Sequence, residues 1–476
     1  MSPTTNNVPA EETSEVFWSD NQSRGRIATL VGALIFVILS YQFGSTLLAP
    51  ALPTIATDLG ESTEAVARLQ SLFFMSGAVL GVALSRWSDY IGRRRSLIII
   101  LTVCTVGTVI CLFASNLPML IVGRILQGSS NAAYTICYLV LAERLDKRLF
   151  GICLGIVASI NGGVGGIDSL IGGVVTDTIG WRFLFVIILV ASVLGYIGLL
   201  TLVPRDEKTE RSGKMDWWGA ATMAVFLACL SSFIENASSF GLSDSLTLIY
   251  LAGMVVAAFG FVIAELKVPY PLIAVSALRS RRVWPVFMTT LLTLCGTFSF
   301  VNYTMVLFTQ GTGGYAMSAS RSSMLYLTPQ SLAGVVAAIF AGYLAQRFGW
   351  YLSLRVSAGL TVLLMAAINF FLAEKAIVFV LLIALGAVYM GQLFTTVNGI
   401  SVINSPKDSP GALPGINGAA FGIGASAGIA VVAPVAAGGT FTDYQNAFWI
   451  SVGFVFAAFI MTLLLQPAEQ ESEAAV

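Results

Sequence analysis

Long apolar runs separated by short polar links occupy most of this chain. Fourteen runs are centred near residues 38, 76, 105, 130, 164, 193, 226, 255, 297, 334, 363, 390, 426 and 455. Each is close to the ~20 apolar residues that an α-helix needs to cross the hydrocarbon core of a bilayer. The links carry helix punctuation. Asn116-Leu117-Pro118 places a capping side chain and a first-turn proline at the start of the fourth run. Gly180 ends the fifth, just before Trp181. The pattern predicts an all-α integral membrane protein with 14 transmembrane helices.

Composition supports this reading and removes competing ones. Of 476 residues, 56% are hydrophobic and 11% charged, against about 25% charged in an ordinary soluble protein. Net charge is zero, so nothing attracts a nucleic acid. Histidine is absent, which removes the usual proton carrier near neutral pH and most zinc sites. The six cysteines sit singly in apolar runs, without Cys-x-x-Cys spacing, and read as small buried hydrophobes. There is no Walker loop, no cluster with metal-ligand spacing, and no nucleophile with a histidine partner. These features argue against an enzyme and against any cofactor or metal; an ion gradient is the remaining energy source. The first 25 residues are polar and acidic, without a cleavable signal, and are expected to form a disordered cytoplasmic tail.

An even number of crossings puts both termini on one side. With the termini in the cytoplasm, 20 of the 25 basic residues lie inside, all but Arg68, Arg124, Arg182, Arg321 and Lys375. The positive-inside rule therefore predicts a multi-pass protein of the cell membrane with cytoplasmic termini.

A repeat runs beneath this pattern. SRWSDYIGRRRSL (85–97) links the second and third runs, and GYLAQRFGWYLSLR (342–355) links the tenth and eleventh. Aligning Ser85 with Gly342 sets Asp89 against Gln346 and Gly92 against Gly349, 257 residues apart. A duplicated bundle with its ligand site between the halves is a recurring transporter design. The segment 85–95 resembles the signature loop G-x-L-x-D-x-x-G-R-R-R of the major facilitator superfamily. LIVGRILQGSSNAA (120–133) resembles its fourth-helix R-x-x-Q-G motif, and GGVGGIDSLIGG (162–173) occupies the place of its fifth-helix antiporter motif. Trp181-Arg182-Phe183 and Asp216-Trp217-Trp218-Gly219-Ala220 resemble features of the 14-helix drug:proton antiporters. Two positions depart from that branch: Gly44 stands where it carries a helix-one aspartate, and Asp168-Ser169 replaces Gly-Pro.

The resemblance implies two six-helix bundles with pseudo-two-fold symmetry and two extra central helices. Residues 27–204 would form the N-terminal bundle, 205–282 a linker with the extra pair, and 283–466 the C-terminal bundle. Residues 1–26 and 467–476 would be cytoplasmic tails. It also implies that Asp89, Gly92 and Arg93 latch a cytoplasmic gate between the halves. At minimum, the basic loop is a topology signal.

Two charges lie well inside spans, Arg124 and Asp168. An ionised group at mid-helix costs roughly 2.5–3.5 kcal/mol, so such groups are normally paired. Counting at 1.5 Å per residue puts Arg124 roughly 9 Å and Asp168 roughly 14 Å from the same membrane face on adjacent antiparallel helices. The two are therefore expected to meet, directly or through one water, as a structural pair or as the proton-coupling site. Arg124, Gln127, Asn131 and Tyr134 recur at spacings of 3, 4 and 3, and Asn161 lies seven residues before Asp168 on the same face. Gly155, Ser159, Gly162, Gly166, Ser169 and Gly173 form a small-residue stripe suited to close helix packing. Single polar residues Gln42, Asn302, Tyr303, Gln330, Gln392 and Asn398 are further candidates to line a substrate cavity. The expected function is proton-coupled export of small organic or amphipathic compounds by alternating access, by a monomer in the lipid bilayer. Alternatives are transport of an anionic metabolite or lipid recognised by Arg124, and a non-transporting sensor of the same fold.

Overall fold

A computed structural model describes residues 24–145, 153, 167–203, 216–267, 284–404 and 412–465, and among them there are helices and turns but no β-strand. Among the described residues, twelve stretches of helix are long and apolar enough to cross a membrane, from Ile27–Leu59 to Phe441–Leu464. The run near 130 is divided into α5 (Leu117–Gly128) and α6 (Asn131–Arg144). Much of the run near 164, with Asn161 and four positions of the small-residue stripe, lies outside the described residues; its end forms a helix over 167–178 (α7).

The remaining first-half elements are α1 (Arg24–Thr46), α2 (Leu52–Leu59), α3 (Thr63–Ile91), α4 (Arg93–Leu112) and α8 (Arg182–Thr201). Then come α9 (Trp217–Phe240) and α10 (Ser245–Lys267). The second half holds α11 (Trp284–Ser299), α12 (Met305–Gln310), α13 (Ala319–Ser322), α14 (Thr328–Phe348) and α15 (Trp350–Phe370). It closes with α16 (Lys375–Gly386), α17 (Phe394–Ile403), α18 (Ala412–Ala436) and α19 (Phe441–Leu464).

Local chemistry sets these boundaries. Asn116 accepts the Met119 N–H at 2.9 Å, satisfying one of the free donors at the start of α5. Asp216 does the same for α9 through the Gly219 N–H at 2.8 Å. Thr440 and Asp443 form a reciprocal capping box on α19. The repeat is visible in the backbone: Gly92 (φ 95°, ψ 150°) and Gly349 (φ 88°, ψ 140°) make the same turn, in a region that L side chains avoid.

The halves meet where α3 packs against α18. A Cβ on Gly422 of α18 would fall 2.8 Å from the Phe74 carbonyl oxygen of α3, so glycine permits this approach. Helices α9 and α10 pack on one another, and α9 also touches both α3 and α18, covering one side of the seam. Outward-facing side chains are apolar: Val256, Phe259 and Leu266 of α10, and Ile339 and Phe370 of the second half, are 67–73% exposed. A surface this apolar fits hydrocarbon rather than water. Three π-helical segments, Phe300–Thr304, Ser323–Leu327 and Ala387–Leu393, interrupt helices of the second half.

Candidate functional site

The site in the first half is organised by the end of α1. That helix stops at Thr46, and the chain turns into a 3₁₀ segment (Ala49–Ala51) containing Pro50 before α2. A helix end leaves carbonyl groups without intrahelical donors. One of them, the Ser45 carbonyl, accepts a bond from Gln70 Nε2 of α3. Two side chains of the same turn reach Asp168 on α7. Its Oδ2 accepts from Thr46 Oγ1 and from Gln42 Nε2, the latter at 3.5 Å. Asp168 is fully buried, and its Oδ1 has no hydrogen-bond partner among the described residues. Close approach of α7 to this turn depends on Gly172, whose place against the Leu47 carbonyl leaves no room for a side chain.

No direct ion pair between Asp168 and Arg124 forms among the described residues. Arg124, also fully buried, donates from Nε to the Leu69 carbonyl at 3.1 Å, from Nη1 to Gln127 Oε1 at 2.9 Å, and from Nη2 to Gln70 Oε1 at 3.2 Å. Its guanidinium lies 4.2 Å from the centre of the Phe73 ring. A guanidinium spreads its charge and presents a planar fork, so neutral acceptors and an aromatic face can hold it where a carboxylate was expected. The two charges are instead linked through Gln70, which takes a bond from Arg124 and gives one to the α1 turn that holds Asp168.

The polar stripe on the fourth span divides for a related reason. At Ser129–Ser130 the chain makes i→i+3 bonds, and both hydroxyls bond back to carbonyls one turn earlier, at Leu126 and Gln127. Such back-bonding bends helices. Gln127 stays below the bend, bridging Arg124 to Thr108 at 2.8 Å. Asn131 donates to the Gly77 carbonyl of α3 at 2.8 Å and pins α6 there. Tyr134 takes a bond from Tyr138, and its ring lies 6.3 Å from that of Tyr41.

Second-half candidates are more dispersed. Asn398 accepts from Asn417 Nδ2 at 2.8 Å, and Asn417 Oδ1 accepts from Thr290 at 2.5 Å, joining α17, α18 and α11. Gln392 turns to Ser353 on α15. Gln330 is buried against Met390, its Nε2 lying 3.5 Å from the sulfur. Asn302 is half-buried in a π segment. Tyr303 donates to the Thr63 carbonyl of the first half at 3.2 Å. Gln127, Gln330 and Tyr303 are therefore occupied by protein partners rather than lining an open cavity. The Tyr303 bond belongs to a set that closes one end of the seam, with Gln310 Nε2 to the Pro50 carbonyl (3.0 Å) and the Ser320 N–H to Asp177 (2.8 Å).

At the opposite end, Asp89 sits between two arginines, 2.9 Å from Arg86 and 2.6 Å from Arg93. Arg93 also reaches Glu143 of α6 at 2.9 Å and Ser88 at 2.5 Å. These contacts tie α3, α4 and α6 of one half together around the Gly92 turn.

The family model described as Major Facilitator Superfamily matches residues 34–429. The chain belongs to the major facilitator superfamily. A uridine/deoxyuridine transporter of Lactococcus lactis subsp. cremoris is 30% identical over 462 residues, 94% of this chain and 96% of that one. The quinolone resistance protein NorB of Staphylococcus aureus is 24% identical over 470 residues, 94% and 98% of the two chains. The tetracenomycin C resistance and export protein of Streptomyces glaucescens is 24% identical, with 86% and 76% covered. The crystal structure of the human organic anion transporter MFSD10 (TETRAN) shares the fold, with a TM-score of 0.64 at 14% identity, over 93% of this chain and 100% of that one.

Within this major facilitator superfamily chain, rings connect the halves. Tyr41, Phe73 and Phe74 follow at centroid separations of 6.1 and 5.2 Å, and Phe74 meets Phe298 of the second half at 4.7 Å. The line continues through Phe421 (6.4 Å) and Phe394 (6.0 Å) to Tyr389 (5.7 Å). Arg124 lies over the second ring of this line, Phe73, and the last ring, Tyr389, interacts with Gln330. Gln70, Thr46, Thr290 and Asn417, which complete these networks, lie inside apolar runs; their signal in the sequence is polarity alone.

Proposed function

We propose that this transporter couples proton movement to the passage of small organic compounds of no net charge that carry a planar ring, by alternating access of one central site. The observation that carries the proposal is Asp168: a buried carboxyl whose partners are all neutral and sit on the broken end of α1. An acid so placed can exchange its proton when α1 moves and water arrives. Arg124, through Gln70, reports the same movement. Amides and aromatic faces along the seam suit ring compounds with polar edges. Each nitrogen of Arg124 donates to a protein group, which argues against an anionic substrate as its ligand.

The reading includes 14 crossings, with α5 and α6 sharing one and α7 ending another, and both termini in the cytoplasm. The seam end closed by Gln310 and Asp177 is then the outer end. Export is the favoured direction, given similarity to resistance and export proteins. Nucleoside uptake is a second reading, favoured by the relative that is 30% identical over nearly the full chain.

Proteoliposomes loaded with labelled uridine or a fluoroquinolone, under pH gradients of either sign, test both. Gradient-driven flux of one compound is expected, and its sign separates import from export. Flux of both that ignores the gradient would refute proton coupling.

A further inference from the structure

Two cations stand apart from the machinery above, on the end of the bundle closed by Gln310. Arg321 is in the first turn after Ser318, and Lys375 is the first residue of α16. Both are exposed, and both line one cleft of about 720 Å³ with Tyr315, Met317, Met324 and Leu325. In the proposed orientation they belong to the small minority of basic residues that face outward. The nearby acids are Glu374, next to Lys375, and Asp177, which is engaged by the Ser320 N–H. Neither lines the cleft.

The cleft is held in shape. Tyr315 donates to the Leu372 carbonyl at 2.8 Å, fixing the connecting loop to the start of α16. Tyr315 N–H and Met317 N–H bond back to the Phe308 and Thr309 carbonyls at 3.1 and 2.9 Å. Between them Ala316 adopts φ 52°, a conformation that costs a non-glycine residue energy and persists only where its surroundings impose it. Lys375 Nζ lies 5.1 Å from the Tyr315 ring centre. The two charges are thus presented by a rigid frame.

We propose that this cleft binds the headgroup of an anionic phospholipid, with phosphate between Arg321 and Lys375. The apolar surface decides for a lipid over a dissolved anion. Met324 and Leu325, 64% and 41% exposed, form the wall on the membrane side. Below them Leu332, Val336, Ile339 and Phe340 are 44–73% exposed along the outer face of α14. An acyl chain leaving the headgroup would lie on that face. Basic residues at helix ends meeting the headgroup layer, with apolar side chains beneath, match the layered chemistry of a phospholipid.

Native mass spectrometry of the purified full-length protein, titrated with phosphatidylglycerol or phosphatidylcholine, tests the proposal. Phosphatidylglycerol is expected to bind more tightly than phosphatidylcholine. R321Q/K375Q should weaken it about 25-fold, about fivefold for each charge removed at roughly 1 kcal/mol per basic residue. R321K/K375R should retain it, which controls for folding. Equal retention of the two lipids, or undiminished phosphatidylglycerol binding by R321Q/K375Q, would overturn the site. Glycerol 3-phosphate that displaced the lipid at equal concentration would show a dissolved-anion site and overturn the lipid assignment.

Discussion

The two halves share a fold but handle polarity differently. In the first, two fully buried charges are each held by neutral groups; α1, which bonds Asp168, breaks at Thr46, and the span that carries Arg124 bends at Ser129–Ser130. In the second, the described spans bury no charge of that kind; polarity there comes from Asn398, Asn417 and Thr290, and three helices carry π segments. Such segments recur at functional sites, because the extra residue per turn re-aims side chains. The difference supports the proposed division of labour, in which the first half would move charge and the second would make adaptable contact with the cargo. The line of rings joins the two.

The sharpest way to break this division is Asp168→Asn. Gradient-driven accumulation in proteoliposomes should disappear, a change of at least ~10-fold, or ~1.4 kcal/mol of coupling. Counterflow exchange of the same compound should persist. Accumulation that persisted would move charge coupling out of the first half.

Arg124→Ala comes next. It removes the donors to Gln70 and Gln127, and each buried oxygen left unpaired costs ~1–3 kcal/mol. Thermal unfolding in detergent should show a clear loss of stability together with reduced flux. Arg124→Lys keeps the charge but not the fork, and should fall in between.

The account of these residues divides along what a sequence can display. Apolar runs, the Asn116 cap, the Gly180 stop and the paired Gly92 and Gly349 turns are local chemistry; the structure shows the cap, the stop and the turns, and among the described residues twelve of the fourteen runs as spans. Gln42 and Asp168, 126 residues apart, meet in the structure, a contact no spacing announces. The direct Arg124–Asp168 pair fails because neutral partners take both groups: the Leu69 carbonyl, Gln70 and Gln127 hold the guanidinium, and Gln42 and Thr46 hold the acid. The fourth span bends at two serines whose hydroxyls find backbone carbonyls, and α1 ends where Thr46 can occupy the space beside the acid. Gln70, the residue that joins the charges, lies in an apolar run with no motif to mark it. The π segments leave no trace in hydrophobic pattern, since one extra residue in a turn is set by tertiary packing.

A third variant sharpens the second-half side of the comparison. Asn417→Ala removes one bond each to Asn398 and Thr290, ~0.5–1.5 kcal/mol apiece in net terms. Substrate affinity should weaken ~5-fold while the pH dependence of transport keeps its shape. A shifted pH profile would mean that the halves are not divided as described.

The smallest effect is expected from Tyr303→Phe. It deletes one hydrogen bond across the closed end of the seam, ~1 kcal/mol at most. Labelling of a cysteine placed at Thr63 should rise a few-fold, with coupling unchanged.

The most direct test of the central claim is proton exchange on substrate binding, read by a pH indicator in weakly buffered detergent solution. The account predicts that wild-type protein exchanges protons when a transported compound binds, that Asp168→Asn exchanges none while still binding it, and that Arg124→Lys still exchanges them. Unchanged proton exchange by Asp168→Asn would contradict it.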